Sequence, residues 1–205
     1  MVREQLECRG IRHPGVLRAM RTVPRSAFVP SASEAAAYDD MPLNIGFGQT
    51  ISQPYMVALM TELLDLQGTE RVLDVGTGSG YQAAILAQLA ASVTSIERVP
   101  ELAAQAAERL NRLGITNVHI IVGDGTTGLE ESEAFDAILV GAGSPEVPEP
   151  LAAQLAPGGR MVIPIGNHRV QTLTLLRRRE DGSVSTETHG SCVFVPLLGK
   201  HGWQS

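Results

Sequence analysis

Three glycines alternate with small hydroxyl residues directly after a short apolar segment that carries an acid. The segment reads Val-Leu-Asp-Val-Gly-Thr-Gly-Ser-Gly over residues 72–80 and includes Asp74, Gly76, Thr77 and Gly78. Glycine has no Cβ atom, so the backbone can turn sharply there and approach a ligand closely. A helix is predicted next, from about Tyr81 to Ala90, and its first N–H groups would point at that ligand. The pattern predicts a binding turn for a nucleotide cofactor.

Two further acids occur where a bound nucleoside would need them. Glu97 ends the second predicted strand, and Asp124 follows the third strand, next to Gly125. In an open parallel sheet, ligands bind outside the carboxyl ends of the strands. A carboxylate at Glu97 can accept hydrogen bonds from both ribose hydroxyls, while Asp124 and its neighbouring backbone can meet an adenine edge.

The number of acids separates two cofactor classes. Three carboxylates around one turn, counting Asp74, suit a cofactor with a positively charged amino acid end better than a doubly negative pyrophosphate. This favours S-adenosylmethionine over NAD. The stretch 78–83 also fits the dinucleotide motif G-x-G-x-x-A, so a dehydrogenase is an alternative, although no acid–base pair for hydride transfer is evident.

Composition narrows the class of protein. The chain has 205 residues, 43% of them hydrophobic and 19% charged, which is typical of a globular protein. No apolar run approaches a membrane span, and a net charge of −6 argues against nucleic acid as a partner. The two cysteines and five histidines lack metal-ligand spacing, so no metal is expected. The first residues do not resemble a secretory signal, so we expect a cytoplasmic protein. We also expect the protein to be a monomer.

Strand and helix patterns alternate along the chain. Seven strands are predicted, at Arg71–Val75, Ser92–Glu97, Val118–Val122, Phe135–Val140, Arg160–Ile165, Gln171–Arg178 and Thr186–Val195. Near-continuous apolar strands separated by helices indicate an α/β fold with a doubly wound, mostly parallel sheet covered on both faces. We expect one domain over 1–205, with an N-terminal helical and loop region (1–66), a cofactor-binding core (67–166) and C-terminal strands on the substrate side (167–205).

The segment 44–54 has neither helical nor strand periodicity and combines glycines with hydroxyl and amide side chains. We interpret it as a loop over the cofactor. Ser52 has a second possible role, because a serine shortly before the helix that begins at Pro54 is typical of an N-cap.

The end of the fourth strand bears on the methyl acceptor. Methyltransferases that act on base or amide nitrogens tend to carry Asn/Asp-Pro-Pro-Tyr there, and this chain has Val-Gly-Ala-Gly-Ser-Pro at 140–145. No lysine or histidine base is evident at the strand ends. An acceptor that is already nucleophilic at neutral pH, such as a carboxylate, is therefore favoured, because its methylation depends on positioning more than on proton abstraction.

Five short segments form a recognisable pattern: Gly-Gln-Thr-Ile-Ser-Gln-Pro at 48–54, Val-Leu-Asp-Val-Gly-Thr-Gly-Ser-Gly-Tyr-Gln at 72–82, Gly-Asp-Gly-Thr at 123–126, Pro-Gly-Gly-Arg at 157–160 and Phe-Val-Pro-Leu at 194–197. This pattern resembles the protein-L-isoaspartate O-methyltransferase family over nearly the whole chain. The glycine motif is generic to methyltransferases, whereas the first and last segments are specific to this family. Departures occur at Gly141, Gly143, Leu198 and Glu97.

The resemblance implies a Rossmann-like methyltransferase fold whose final strands are ordered differently from most relatives. It implies methyl transfer from S-adenosylmethionine to the free α-carboxyl of L-isoaspartyl residues in damaged proteins and peptides, with S-adenosyl-L-homocysteine as product. Ser52 would be the catalytic residue that orients the acceptor carboxylate. The implied cofactor contacts are Gln49, Thr50, Ile51, Gly76, Glu97, Asp124 and Gly125, to which the turn itself adds Asp74, Thr77 and Gly78. The peptide would lie near Val195, Pro196 and Leu198.

Two other functions stay open from the residues alone. One is a methyltransferase of the same fold that acts on another carboxylate or on a small metabolite. The other is a non-catalytic module that binds the cofactor or damaged peptides.

Overall fold

The computed structural model describes residues 1–129 and 134–204. Its centre is a seven-stranded sheet, and a separate two-stranded sheet is formed by β1 (Leu43–Gly46) and β2 (Gln49–Ile51). The strands of the main sheet are β3 (Arg71–Val75), β4 (Ser92–Glu97), β5 (Val118–Val122), β6 (Phe135–Val140), β7 (Leu155–Gly166), β8 (Gln171–Arg178) and β9 (Val184–Cys192). Their order across the sheet is β5-β4-β3-β6-β7-β8-β9. The first five strands run parallel, and β8 and β9 are antiparallel to their neighbours. The predicted α/β fold with a mostly parallel seven-stranded sheet is confirmed.

Alternate residues of the central strands pack on opposite faces of this sheet. On one face, Val72 and Leu139 belong to the core shared with the first four α-helices of the chain. On the other face, Leu73 and Ile138 pack with Leu151 of the fifth α-helix. The period-two alternation of strand side chains explains why both kinds of position must be apolar.

Five α-helices surround the sheet: α1 (Pro14–Thr22), α2 (Pro54–Leu64), α3 (Tyr81–Ala87), α4 (Pro100–Arg112) and α5 (Glu149–Ala153). A proline in the first turn of α1, α2, α4 and α5 is tolerated because the N–H groups there have no acceptor within the helix. Helix α3 is shorter than predicted and ends at Ala87. Helix α2 ends at Leu64, because Asp65 adopts a left-handed conformation with φ of 47°.

The C-terminal strands differ from their predicted bounds. Strand β7 begins at Leu155, and its pairing with β6 shifts between Phe135 and Ala137, so the Pro-Gly-Gly stretch at 157–159 fits within the strand as an irregularity. Strand β9 ends at Cys192, three residues earlier than expected. The chain then leaves the sheet, and the Val195 carbonyl accepts a hydrogen bond from the Gly143 N–H at 2.8 Å.

The segment interpreted as an irregular loop forms a small hairpin instead. Strand β1 (Leu43–Gly46) pairs antiparallel with β2 (Gln49–Ile51) outside the main sheet. Its tip uses three consecutive left-handed residues, Gly46, Phe47 and Gly48, with φ of 94°, 54° and 69°. The alternation was missed because each strand is only three or four residues long and a bulge interrupts the register.

Across the described ranges, no helix combines the length and apolar character needed to cross a membrane.

Candidate active site

A continuous cleft lies at the carboxyl edge of the central strands. It has three cavities, all bordered by Thr50 of the hairpin and Gly141 after β6. The first has a volume of about 370 Å³ and contains Ser52, and the second is narrower, about 60 Å³, and contains Glu97. The third borders the glycine turn and α2. Ser52 also borders the third cavity, so a carboxylate and a hydroxyl lie in neighbouring cavities of one cleft.

Glu97 is buried at the end of β4 beside the glycine turn. Its Oε2 atom accepts a hydrogen bond from the Gly78 N–H at 2.8 Å, and its Oε1 atom accepts one from the Val99 N–H at 2.9 Å. A carboxylate has about four lone-pair sites, so each oxygen keeps capacity for another donor. Glu97 is thus fixed in place by the backbone while its remaining lone pairs stay available to a ligand.

The glycine turn has the sharply bent backbone that its sequence predicts. Gly76, Gly78 and Gly80 have φ of 95°, 53° and 88°, a region that other residues rarely adopt. At Gly80, a Cβ atom would also come within 3.1 Å of the Ala106 Cβ on α4. Glycine is therefore required both for the turn and for close helix packing.

Asp74 lies behind the turn rather than in the cleft. It is fully buried, and its Oδ2 atom accepts a hydrogen bond from the Ser95 hydroxyl at 2.7 Å. The Ser95 hydroxyl is also 2.6 Å from the Thr77 hydroxyl. Burial raises the pKa of Asp74 to about 7, with a further increase from the charge on Glu97, although the Ser95 hydrogen bond opposes it. A cofactor contact by Asp74 stays a prediction; its observed hydrogen bond is with Ser95, which in turn contacts Thr77 of the turn.

The raised pKa of Asp74 predicts a pH dependence of stability. Folding favours the neutral carboxyl, so this contribution is complete below the ordinary pKa of 3.8 and is lost as the pH rises through about 7. We expect the free energy of unfolding to fall by up to about 1.4 kcal/mol per pH unit between about pH 4 and 7, where only the folded state keeps the proton, and to level off above pH 7. Asp74→Asn should flatten that slope. Denaturant titrations between about pH 5 and 8 measure both slopes, and equal slopes below pH 7 would contradict the assignment.

Asp124 makes its contacts with the C-terminal segment and its own turn. Its Oδ2 atom accepts a hydrogen bond from the Lys200 N–H at 2.8 Å, and its Oδ1 atom accepts from the Thr126 N–H and hydroxyl at 2.9 and 2.7 Å. Burial acts to raise the pKa of Asp124, but these hydrogen bonds outweigh it and lower the pKa below its ordinary value. Gly125 borders the Glu97 cavity, and Asp124 is not among the residues that line it.

We expect Asp124→Ala to lower the free energy of unfolding by about 1–3 kcal/mol, because three hydrogen bonds to a carboxylate that is partly exposed are lost. The effect should fall mainly on residues 197–204, whose amide hydrogen exchange would increase. Exchange that increases only around the glycine turn would argue for a direct cofactor role for Asp124 instead.

The Ser52 cavity is lined mainly by α2 with the residues just before it, and by the end of β9 with the residues 193–195 that follow it. Its apolar residues include Met56, Leu59, Leu173 and Phe194. Ser52 precedes the N-cap of α2, which is Gln53, so the alternative role of Ser52 as a helix cap is wrong. Within the described part of the chain, no hydrogen bond occupies the Ser52 hydroxyl, which leaves it available to a ligand in this cavity.

Cys192 also borders this cavity. Burial raises the pKa of its thiol to about 11, so the thiol stays protonated at neutral pH and is not a ready nucleophile.

The predicted cofactor residues divide among the cavities. The Glu97 cavity is lined by Gln49, Thr50, Gly76, Gly78, Glu97 and Gly125, and the third cavity by Thr50, Ile51, Gly76, Thr77 and Gly78. Of the predicted peptide contacts, Val195 borders both the Ser52 and the Glu97 cavities, whereas Pro196 and Leu198 border the Glu97 cavity. A peptide contact by Pro196 or Leu198 stays a prediction.

Comparison with known proteins agrees with this geometry. The family model described as protein-L-isoaspartate(D-aspartate) O-methyltransferase (PCMT) matches residues 1–202. This chain belongs to that family. Relatives named protein-L-isoaspartate O-methyltransferase include one from Geobacter metallireducens, 56% identical over 99% of this chain and 94% of the relative. Another, from Trichlorobacter lovleyi, is 56% identical over 100% of this chain and 94% of the relative.

A solved structure from this family has a backbone similar to that of this chain. A Plasmodium falciparum crystal structure, described as a protein-L-isoaspartate O-methyltransferase in complex with S-adenosyl-L-homocysteine, aligns with a TM-score of 0.84. It is 31% identical and covers 96% of both chains. The chain therefore has the fold of a family whose members are structurally known with the product of the methyl donor bound.

Sequence reasoning missed several residues around the cleft of this family member. Arg9 and Tyr55 border the Ser52 cavity, as do His189 and Cys192. No motif surrounds Arg9, which is 43 positions before Ser52. The glycine at 141 was noticed only as a departure from the family pattern, yet it lies where all three cavities meet.

Proposed function

We propose that this chain is a protein repair enzyme that transfers a methyl group from S-adenosylmethionine to the free α-carboxyl of L-isoaspartyl residues. The observation that carries the proposal is the single cleft in which the buried Glu97 carboxylate and the unoccupied Ser52 hydroxyl border cavities that share Thr50 and Gly141. Family membership across residues 1–202 supports the same reaction.

The residues of the Glu97 cavity suit S-adenosylmethionine. The remaining lone pairs of Glu97 match the two ribose hydroxyls, and the glycine turn offers an approach without Cβ atoms. Gly76 and Gly78 border both this cavity and the third cavity. The amino acid end of the cofactor would lie in the third cavity. When bound, the cofactor supplies an electrophilic methyl group on a sulfonium.

The Ser52 end of the cleft supplies positioning. A carboxylate is already nucleophilic at neutral pH, so the protein needs no general base for this transfer. The Ser52 hydroxyl donates a hydrogen bond to one oxygen of the acceptor and leaves the other in line with the methyl group. Apolar residues such as Leu173 and Phe194 exclude water from the reacting atoms.

A paired-peptide assay tests the proposed function. The purified protein is incubated with S-adenosylmethionine labelled on its methyl group and two peptides that differ only in L-isoaspartyl versus L-aspartyl at one position. We expect base-labile methyl ester on the isoaspartyl peptide alone. Label on neither peptide, with the cofactor bound, would favour a binding module, and label on other carboxylates or metabolites instead would favour the alternative methyltransferase.

We also propose that the protein acts in the cytoplasm as a monomer. Cys8 and Cys192 are free thiols in the structure, which is typical of a reducing compartment. Cell fractionation, and light scattering of the purified protein, test the two statements; a secreted protein or a stable dimer would overturn them.

A further inference from the structure

Arg9 lies at the edge of the Ser52 cavity, close to the start of the chain. Among the residues that line this cavity, Arg9 and His189 have basic side chains and none has an acidic one. The protein as a whole has a net charge of −6, so a basic residue at this edge is not explained by general composition. The proposed function does not account for Arg9.

The Arg9 side chain is held in a defined position. Its Nη1 atom lies 2.5 Å from Oδ2 of Asp40, and its guanidinium carbon lies 3.5 Å from the centroid of the Tyr55 ring. Asp40 in turn accepts hydrogen bonds from the Gln53 amide at 2.7 Å and from the Tyr55 N–H at 3.0 Å. Arg9 is therefore fixed to the residues that directly follow Ser52.

Most of the hydrogen-bonding capacity of Arg9 is unused. A guanidinium has five N–H donors, and the described residues supply one acceptor, Asp40. The Arg9 side chain is 44% exposed, so the other donors are accessible from the cleft. Asp40 compensates the charge of Arg9, which leaves a donor group of low net charge. Such a group suits a neutral acceptor better than it suits an anion.

The chemistry of the reaction also argues against a contact with the reacting carboxylate. That carboxylate loses its negative charge as the ester forms, so a cation on it would stabilise the ground state more than the transition state. A donor placed beside the cleft can instead bind a part of the peptide that does not react, which leaves the chemical step unchanged.

We propose that Arg9 is a substrate-binding residue that donates hydrogen bonds to a main-chain carbonyl of the peptide beyond the two amide groups that flank the isoaspartyl residue. This inference rests on the proposed function. Main-chain recognition is independent of the neighbouring side chains, which suits an enzyme that acts on many damaged proteins.

The test compares Arg9→Met with the wild type on two substrates. One is a heptapeptide with a central L-isoaspartyl residue, and the other is a single L-isoaspartyl residue blocked as an acetyl amide. Loss of the contact should raise the KM for the heptapeptide by about 5- to 50-fold, with kcat within about twofold, because hydrogen bonds from a charged donor are lost. The KM for the blocked residue should not change.

Arg21→Met is the matched control. Arg21 forms an ion pair with Glu7 and is not among the residues that line the Ser52 cavity, so this variant also loses an ion pair but should keep the wild-type KM. Thermal denaturation and the Kd for S-adenosyl-L-homocysteine, measured on both variants, report any loss of folding.

Three outcomes would overturn the inference. An unchanged KM for the heptapeptide would remove Arg9 from substrate binding, and an equal effect on the blocked residue would place its contact on the isoaspartyl residue itself. If Arg9→Met raises the KM only for a heptapeptide with glutamates that flank the isoaspartyl residue, Arg9 recognises negative charge instead of a main-chain carbonyl. If the wild type methylates neither substrate, the proposed function fails, which is a distinct result.

Discussion

Ser52→Ala is expected to reduce the turnover of an isoaspartyl peptide by about 10- to 1,000-fold, because one oriented hydrogen bond to the acceptor carboxylate is lost. The hydroxyl of Ser52 has no partner within the described residues, and Gln53, not Ser52, caps α2. Removing the hydroxyl should therefore change the chemistry without weakening the helix. Steady-state kinetics on a heptapeptide, with calorimetry for S-adenosyl-L-homocysteine, measure the two effects separately.

The matched control for that experiment is Ser31→Ala. Ser31 is exposed and borders none of the three cavities of the cleft, so its loss should leave turnover unchanged. Ser52→Ala with wild-type turnover would remove Ser52 from the mechanism. A weaker affinity for S-adenosyl-L-homocysteine together with a lower melting temperature would instead show that the hydroxyl supports the fold of the cleft.

Glu97→Gln is expected to weaken the binding of S-adenosylmethionine by about 10- to 100-fold, since hydrogen bonds from ribose hydroxyls to a carboxylate are replaced by weaker ones to an amide. The substitution keeps the length of the side chain and one carbonyl oxygen, so at least one of the backbone contacts to Gly78 and Val99 can persist. At saturating cofactor, turnover should approach that of the wild type. Isothermal titration and the KM for the cofactor give the two readouts.

Glu101→Gln is the corresponding control. Glu101 is an exposed acid in the first turn of α4, four residues after Glu97, and it does not line the cleft. The Glu101→Gln variant should therefore bind the cofactor with the affinity of the wild type. Equal affinities for Glu97→Gln and the wild type would mean that Glu97 serves only to hold the glycine turn.

Much of the fold could be predicted because its signals are local. The bounds of β3, β5 and β6 follow from mostly apolar runs that stop at a glycine, and β4 stops at Glu97. The hydrophobic pattern predicts strand bounds less well where strand pairing is irregular. This is the case in β7, which has Pro-Gly-Gly near its start, and in the short hairpin of β1 and β2. In both places a neighbouring strand, rather than the local sequence, selects the conformation.

The site divides in the same way. Glu97 and the glycines were predicted because a strand that ends at the sheet edge places its last residue near the ligand. Asp74 and Asp124 are carboxylates at the same sheet edge, but their hydrogen bonds are made with a buried hydroxyl and with the C-terminal segment, so their cofactor contacts stay predictions. Which way a side chain points depends on its packing partners, and those partners are remote in the chain.

The sequence alone determined the class of fold, the glycine-rich turn and the family, because strand periodicity, glycine conformation and contiguous motifs are properties of short segments. Only the tertiary structure decided how the cleft is completed: Thr50 and Gly141 bring its cavities together, and Arg9 reaches Asp40 across 31 positions. Such contacts join segments whose separation along the chain carries no pattern. They exist because burying apolar surface on both faces of the sheet fixes the hairpin, α2 and the N-terminus around one edge.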